Sequence, residues 1–145
     1  MGPWLGLFLS AFLAGSVVPV PSEPALLLLL ADGASPWAAV TVATAGNLLG
    51  ALTVWLLGRA LARRSGGEGW VPARFAPDEA TRTAAAERVR RRGAPLLLLA
   101  WLPWVGDAIV LGAGLVGIRL LPFLLLCGAG KLARYAALSW TFAAL

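Results

Sequence analysis

The sequence predicts an all-α integral membrane protein of two inverted repeats, each a re-entrant helical hairpin followed by a transmembrane helix, joined by a basic cytoplasmic loop with a surface helix. Three observations carry that prediction. The 145 residues are 59% hydrophobic and 13% charged, with a mean hydropathy of +0.81, too apolar for a water-soluble domain of this size. Proline interrupts two long apolar runs, each time beside a carboxylate: Val18-Pro19-Val20-Pro21-Ser22-Glu23-Pro24 and Leu102-Pro103-Trp104-Val105-Gly106-Asp107-Ala108. Residues 59–92 hold nine of the twelve cations and four of the seven acids, so the net charge of +5 sits in one segment.

Shifting the first break by 84 residues lays Pro19 on Pro103, Glu23 on Asp107, Gly33 on Gly117, Gly46 on Gly130, Asn47 on Lys131 and Gly50 on Arg134. Glycine is abundant here, so part of the match follows from composition. The joint register of proline and acid points to a duplication. The chain is then one membrane domain, 1–145, with a first repeat over 1–58, a basic loop over 59–92 and a second repeat over 93–145.

The first apolar run, 1–18, has the length of a signal peptide and small residues at Ala14-Gly15-Ser16. It lacks a basic leading region and places Trp4 as an interfacial anchor, so a retained helix is expected. Proline has no N–H and its ring clashes with the preceding turn, so Pro19, Pro21 and Pro24 stop that helix. The following run, 25–31, rises only about 10 Å as helix and cannot cross a bilayer. A hairpin that enters over 5–18, breaks near mid-depth and returns over 25–31 to Asp32 satisfies both lengths. Residues 37–57 then make a full span ending at Gly58-Arg59. Within it Gly46 and Gly50 form a small-xxx-small pair, expected to be a packing face, while Asn47 needs a partner from protein or substrate.

The basic loop is either a nucleic-acid surface or a loop retained in the cytoplasm. Apolar runs flank it on both sides, which favours the second. Pro77-Asp78-Glu79 at one end of 77–92, and Arg88, Arg90, Arg91 and Arg92 before Gly93 at the other, match a helix dipole and predict a surface helix at headgroup level. The second copy enters over 94–102, breaks over 103–107 and returns over 108–117 to Arg119. A last span covers 121–145. Arg119 then falls on the cytoplasmic side, with Asp32 and Leu145 outside.

There is no histidine and Cys127 is the single cysteine, which excludes zinc sites, imidazole bases and disulfides; no cofactor is expected. Cys127 reads as a small buried apolar residue. Lys131 and Arg134, three apart on the last span, share a helix face, and an unpaired cation at that depth costs at least about 2.5 kcal/mol. Either they snorkel to an interface or they pair with Glu23 and Asp107. In the second case two broken helices, two carboxylates and two cations make a polar chamber suited to an anionic lipid headgroup, with Glu23 and Asp107 able to exchange a proton. The candidate site is therefore Ser22, Glu23, Asn47, Asp107, Lys131 and Arg134. Trp101 and Trp104 are expected to pack or to anchor at an interface.

Pro21-Ser22-Glu23, the Gly46-x-x-x-Gly50 span ending in Gly58-Arg59, Arg92-Gly93, and Trp101-Leu102-Pro103 with Ala113-Gly114 resemble the DedA (SNARE-associated, VTT-domain) superfamily, in its short YqaA-like branch. The resemblance covers nearly the whole chain. It implies a bacterial inner-membrane protein with two opposed re-entrant loops that flips or scrambles lipids, with polyprenyl phosphate or phospholipid as partner and protons or another ion as coupling species. The larger family members carry arginines before and after the second-loop proline, where this chain has Ala100 and Gly106. They also favour an uncharged residue where Lys131 stands. Positive charge has moved from the loop to the last helix.

Other classes fit less well. Gly106-Asp107 is part of the Gly-x-Gly-Asp signature of intramembrane aspartyl proteases, but Trp104 replaces the first glycine and the other acid is a glutamate. Ser22 has no histidine to activate it. The chain is therefore expected not to be an enzyme. A structural or accessory membrane protein is the alternative to a transporter, and it would tolerate charge removal at Glu23 and Asp107. Four apolar segments make a small bundle, so a homodimer is a candidate assembly.

Overall fold

The computed structural model describes residues 2–16, 18, 20–64, 93–102 and 105–144, and among these every regular element is helical. The elements are α1 (Gly2–Gly15), α2 (Glu23–Ala31), α3 (Pro36–Arg64), a 3₁₀ helix (Ala94–Leu99), α4 (Val105–Val116) and α5 (Leu120–Ala143). Expectations for Pro19, Pro103, Trp104, Leu145 and the surface helix over 77–92 fall outside the described residues.

Helix length sorts the elements. Only α3 and α5, with 29 and 24 residues, are long and apolar enough to cross a bilayer. At 1.5 Å per residue the nine-residue α2 rises about 14 Å and the twelve-residue α4 about 18 Å, against about 30 Å of hydrocarbon. The second entering segment is a six-residue 3₁₀ helix where a longer run over 94–102 was expected; Pro95 lies in its first turn. The first span also differs from expectation. It runs through Gly58 to Arg64, because Ala60, Leu61, Ala62 and Arg63 are good helix formers and no breaker stands before Ser65-Gly66-Gly67.

The two short helices end in the same turn. After α2, Gly33 adopts φ 81°, its N–H donates to the Leu30 carbonyl (3.0 Å) and that of Ala34 to Leu29 (3.1 Å). After α4, Gly117 adopts φ 78°, its N–H donates to Gly114 (3.1 Å) and that of Ile118 to Ala113 (2.9 Å). Glycine enters this left-handed conformation without a Cβ penalty, and the paired bonds cap the carbonyls a helix end leaves open. A long helix follows each turn at the same distance, at Pro36 and at Leu120.

Two apolar clusters flank the molecule's centre, one holding Leu26, Leu29, Ala39, Ala43 and Tyr135, the other Val110, Ala113, Phe123, Cys127 and Ala51. Each residue of the first differs from its counterpart in the second by 84 positions. Packing follows the same correspondence: α1 lies on α3 as the 3₁₀ helix lies on α5, and α4 lies on α3 as α2 lies on α5. Helices α3 and α5 run antiparallel, since Trp55 stacks on Phe123 at 5.5 Å while Trp37 and Val40 share a hollow with Ser139 and Trp140. The outer surface is apolar, with Leu5, Leu9, Leu28, Leu49, Leu121, Leu125 and Leu132 exposed, as lipid contact requires.

The small-xxx-small pair is a packing face, as expected. A Cβ at Gly46 would lie 2.5 Å from the Phe8 carbonyl oxygen, and one at Gly50 would run into the Phe12 carbonyl and the backbone of Gly15 and Ser16. Backbone cannot yield as a flexible side chain can. Gly50→Val is therefore expected to lower the thermal unfolding midpoint in detergent by about 4–8 °C, whereas Gly112→Ala, whose added Cβ meets nothing within 4 Å, leaves it within about 2 °C or raises it. Circular dichroism melts of the purified variants check the pair; equal effects would refute the close α1–α3 approach.

Candidate functional site

Two aromatic residues and three arginines give the helices a depth scale. Trp37 and Trp140 are 74% and 81% exposed at one end of the α3–α5 pair, and Arg59, Arg63 and Arg119 stand at the other. Trp37 to Arg59 spans about 33 Å of helix and Arg119 to Trp140 about 31 Å, the thickness of the hydrocarbon layer. Asn47 and Lys131 fall near the middle of their helices, about 15 Å from either tryptophan.

At that middle level four polar side chains form one chain of hydrogen bonds. Lys131 on α5 donates its Nζ–H to Asn47 Oδ1 on α3. An ammonium offers only donors, so it fixes the amide with oxygen toward lysine and Nδ2 away. Asn47 Nδ2 then donates to the Tyr135 hydroxyl at 2.8 Å. The tyrosine hydroxyl also shares a hydrogen bond with Ser22 Oγ, 2.6 Å away, in which either oxygen can donate. Ser22 precedes α2 but its side chain does not cap the helix; it is turned to Tyr135 instead. Lys131, Asn47 and Ser22 are 4%, 3% and 2% exposed and Tyr135 is fully covered, so each bond replaces lost hydration.

A second group lies beside the first. Arg134, one residue before Tyr135, pairs with Glu23 Oε1 through one guanidinium nitrogen and donates the other to the Trp101 carbonyl at 2.9 Å. Arg134 thereby ties the start of α2 to the stretch leading into α4. Both members of the pair are about a quarter exposed, which limits what the bond contributes to stability. Asp107 is half-buried in the first turn of α4, within electrostatic range of Lys131 and without an ion pair among the described residues. A hollow of about 560 Å³ lined by Leu98, Trp101, Ala133, Arg134 and Leu138 opens next to the Arg134 group.

The structure thus brings Ser22, Glu23, Asn47, Lys131 and Arg134 together and places Asp107 at their edge. Between the two alternatives open for the last-helix cations, an interface or the two acids, Arg134 pairs with Glu23. Lys131 binds the neutral Asn47 rather than Asp107, and it is buried rather than extended to an interface. Cys127 is buried, as expected. Tyr135 was not singled out from sequence, although it is the only tyrosine and follows Lys131 by four residues on the same face. Trp101 acts through its backbone carbonyl, which no side-chain pattern announces.

Tyr135→Phe should leave Ser22 Oγ and Asn47 Nδ2 short of a partner, at about 1–3 kcal/mol of folding stability. Combined with Ser22→Ala it should cost clearly less than the sum of the single changes. Reversible unfolding in mixed micelles measures this cycle, and strict additivity would show that the 2.6 Å contact is energetically idle.

Residues 18–143 match the VTT domain. The inner membrane protein YqaA of Escherichia coli is 37% identical over 134 residues, covering 92% of this chain and 86% of its own, and YqaA of Shigella flexneri matches equally. An uncharacterized protein of Haemophilus influenzae is 36% identical over 140 residues, covering 91% of this chain and 82% of its own. No solved structure matches. A match across both helix breaks, both long spans and every residue of the buried polar chain places this chain in the VTT-domain (DedA) family of membrane proteins.

Proposed function

We propose that this chain is a multi-pass protein of the bacterial inner membrane that moves an anionic lipid, polyprenyl phosphate or phospholipid, between leaflets as a flippase or scramblase. The headgroup passes the polar cluster at mid-depth. The observation that carries this reading is Lys131: an ammonium 4% exposed, near the middle of two spanning helices, whose direct partner is a neutral amide. A buried charge without an ion-pair partner among the described residues is expensive, and a passing phosphate would neutralise it. The name of the Escherichia coli relative supports the inner-membrane location.

The path to the cluster follows from an inverted repeat. Equivalent positions 84 residues apart share turns, cores and packing partners, and the antiparallel α3 and α5 meet at Asn47 and Lys131, which are themselves equivalent. Two antiparallel equivalents imply a pseudo-two-fold axis in the membrane plane, the arrangement of alternating-access transporters. Segments too short to cross, α1–α2 and the 3₁₀ helix with α4, are then re-entrant hairpins dipping from opposite faces. The basic segment 59–92 and Arg119 lie in the cytoplasm, and Asp32 lies outside. No catalytic role is proposed for Ser22 or the acids. An accessory, non-transporting protein is the competing reading, and the experiments below separate the two.

Topology is read by labelling single cysteines at positions 32 and 75 on a Cys127→Ser background, with the two sites expected to react from opposite faces. Reaction from one face would remove the inverted-hairpin arrangement.

Lipid movement is read with headgroup-labelled lipids in proteoliposomes. Lys131→Gln is expected to slow an anionic lipid at least about tenfold, the rate equivalent of 1.4 kcal/mol, and to change a zwitterionic one less. Glu23→Gln should leave a folded, inserted protein whose lipid movement no longer responds to a pH gradient, and Arg134→Gln added to it should not restore the response. Full pH-dependent activity in Glu23→Gln would eliminate the proton-carrier role, and lipid movement by the wild type no faster than in protein-free vesicles would leave the accessory reading.

A further inference from the structure

A second set of cations takes no part in the mid-membrane cluster. Where α3 ends and α5 begins, a hollow of about 610 Å³ is lined by Arg59, Arg63 and Arg119 together with the apolar Trp55, Leu56 and Leu120. Arg59 and Arg63 are one helical turn apart on α3, and Arg119 reaches the same hollow from the other helix. The Arg59 guanidinium lies over the Trp55 ring, 5.0 Å from its centroid, which holds one cation in place while leaving its edge free to donate. Arg119 is the residue before α5, with extended backbone and no side-chain cap bond, so the open N–H groups of the 24-residue helix add partial positive charge. No carboxylate among the described residues pairs with any of the three arginines.

Depth and lining together define the ligand. Arg59 and Arg63 stand about 33 and 39 Å along α3, and Arg119 about 31 Å along α5, from the exposed tryptophans of the far end, which is headgroup level. Leu56, Leu57, Leu120 and Leu121 are exposed beside them, at the depth of acyl chains. Compensation of the α3 dipole accounts for Arg59 and Arg63 but not for an arginine from a second helix converging on one aromatic-walled hollow. We propose that this hollow is a docking site for an anionic phospholipid, whose phosphate lies among the three guanidinium groups and whose chain lies against Leu56 and Leu120. It is separate from the transported-lipid cluster and does not depend on that assignment.

The test uses the purified full-length protein in a neutral detergent, with phosphatidylglycerol or phosphatidylcholine added and bound lipid counted by native mass spectrometry. Phosphatidylglycerol should be retained in preference to phosphatidylcholine, and inorganic phosphate at the same concentration should not displace it. Arg59→Gln/Arg63→Gln/Arg119→Gln should weaken retention by roughly fivefold per charge removed, with the basic loop and the mid-membrane cluster intact. Should the triple variant fail to fold, Arg119→Gln alone, at an exposed position, carries the same expectation of a roughly fivefold loss. Equal phosphatidylglycerol retention by wild type and variant, or equal retention of the two lipids, would overturn the proposal. Displacement by inorganic phosphate would also overturn it, assigning the hollow to a free anion. Because the readout is binding, it succeeds or fails independently of whether the protein moves lipid.

Discussion

The structure depends on keeping the Lys131 ammonium at the crossing of α3 and α5, out of reach of water. An isolated cation there would cost several kcal/mol, so its surroundings must supply hydrogen bonds in the right direction. Asn47 does this with its oxygen, which commits its nitrogen to Tyr135, which in turn engages Ser22. One ammonium thus orients an amide, a phenol and a serine on three helices. The serine side chain forgoes helix capping to complete the chain, so a contact made 113 residues away joins the Leu26 N–H bond to the Ser22 carbonyl in holding the start of α2.

Close helix approach is what lets so short a side-chain path work. Gly46 and Gly50 of α3 leave room for the α1 backbone to approach, and Gly58 and Gly114 do the same between α3 and α4. In lipid there is no hydrophobic drive between apolar helices, so dispersion at short backbone separation does much of the joining. The left-handed turns at Gly33 and Gly117 return each short helix toward its long partner without leaving carbonyls uncapped. Backbone satisfaction and packing are therefore met by the same few glycines.

The halves are alike in shape and unlike in chemistry. Where the second half carries Lys131, Arg134 and Tyr135, the first carries Asn47, Gly50 and Ala51, and where the first carries Ser22 the second carries Gly106. Glu23 consequently has an arginine partner, while the equivalent Asp107 has a glycine at the matching place and lies instead in the field of Lys131. The asymmetry gives the two acids different surroundings. It also concentrates polar contacts around the start of α2, leaving α4 held mainly by apolar packing.

The membrane class, the all-helical fold and the division into long and short apolar helices were legible in the sequence, as was the 84-residue register of its glycines and acids. They rest on local rules: run length against bilayer thickness, and proline chemistry. Tertiary structure alone decided which cation meets which partner. Lys131 and Arg134 look interchangeable in a sequence, but three residues of helix turn them by enough that one faces α3 and Asn47 while the other faces Glu23 and Trp101. Tyr135 becomes the centre of the chain for the same reason, since its role depends on where α2 and α3 come to rest against α5. These contacts join residues 84 to 113 positions apart, and their selection depends on helix rotation and separation, which no local pattern encodes.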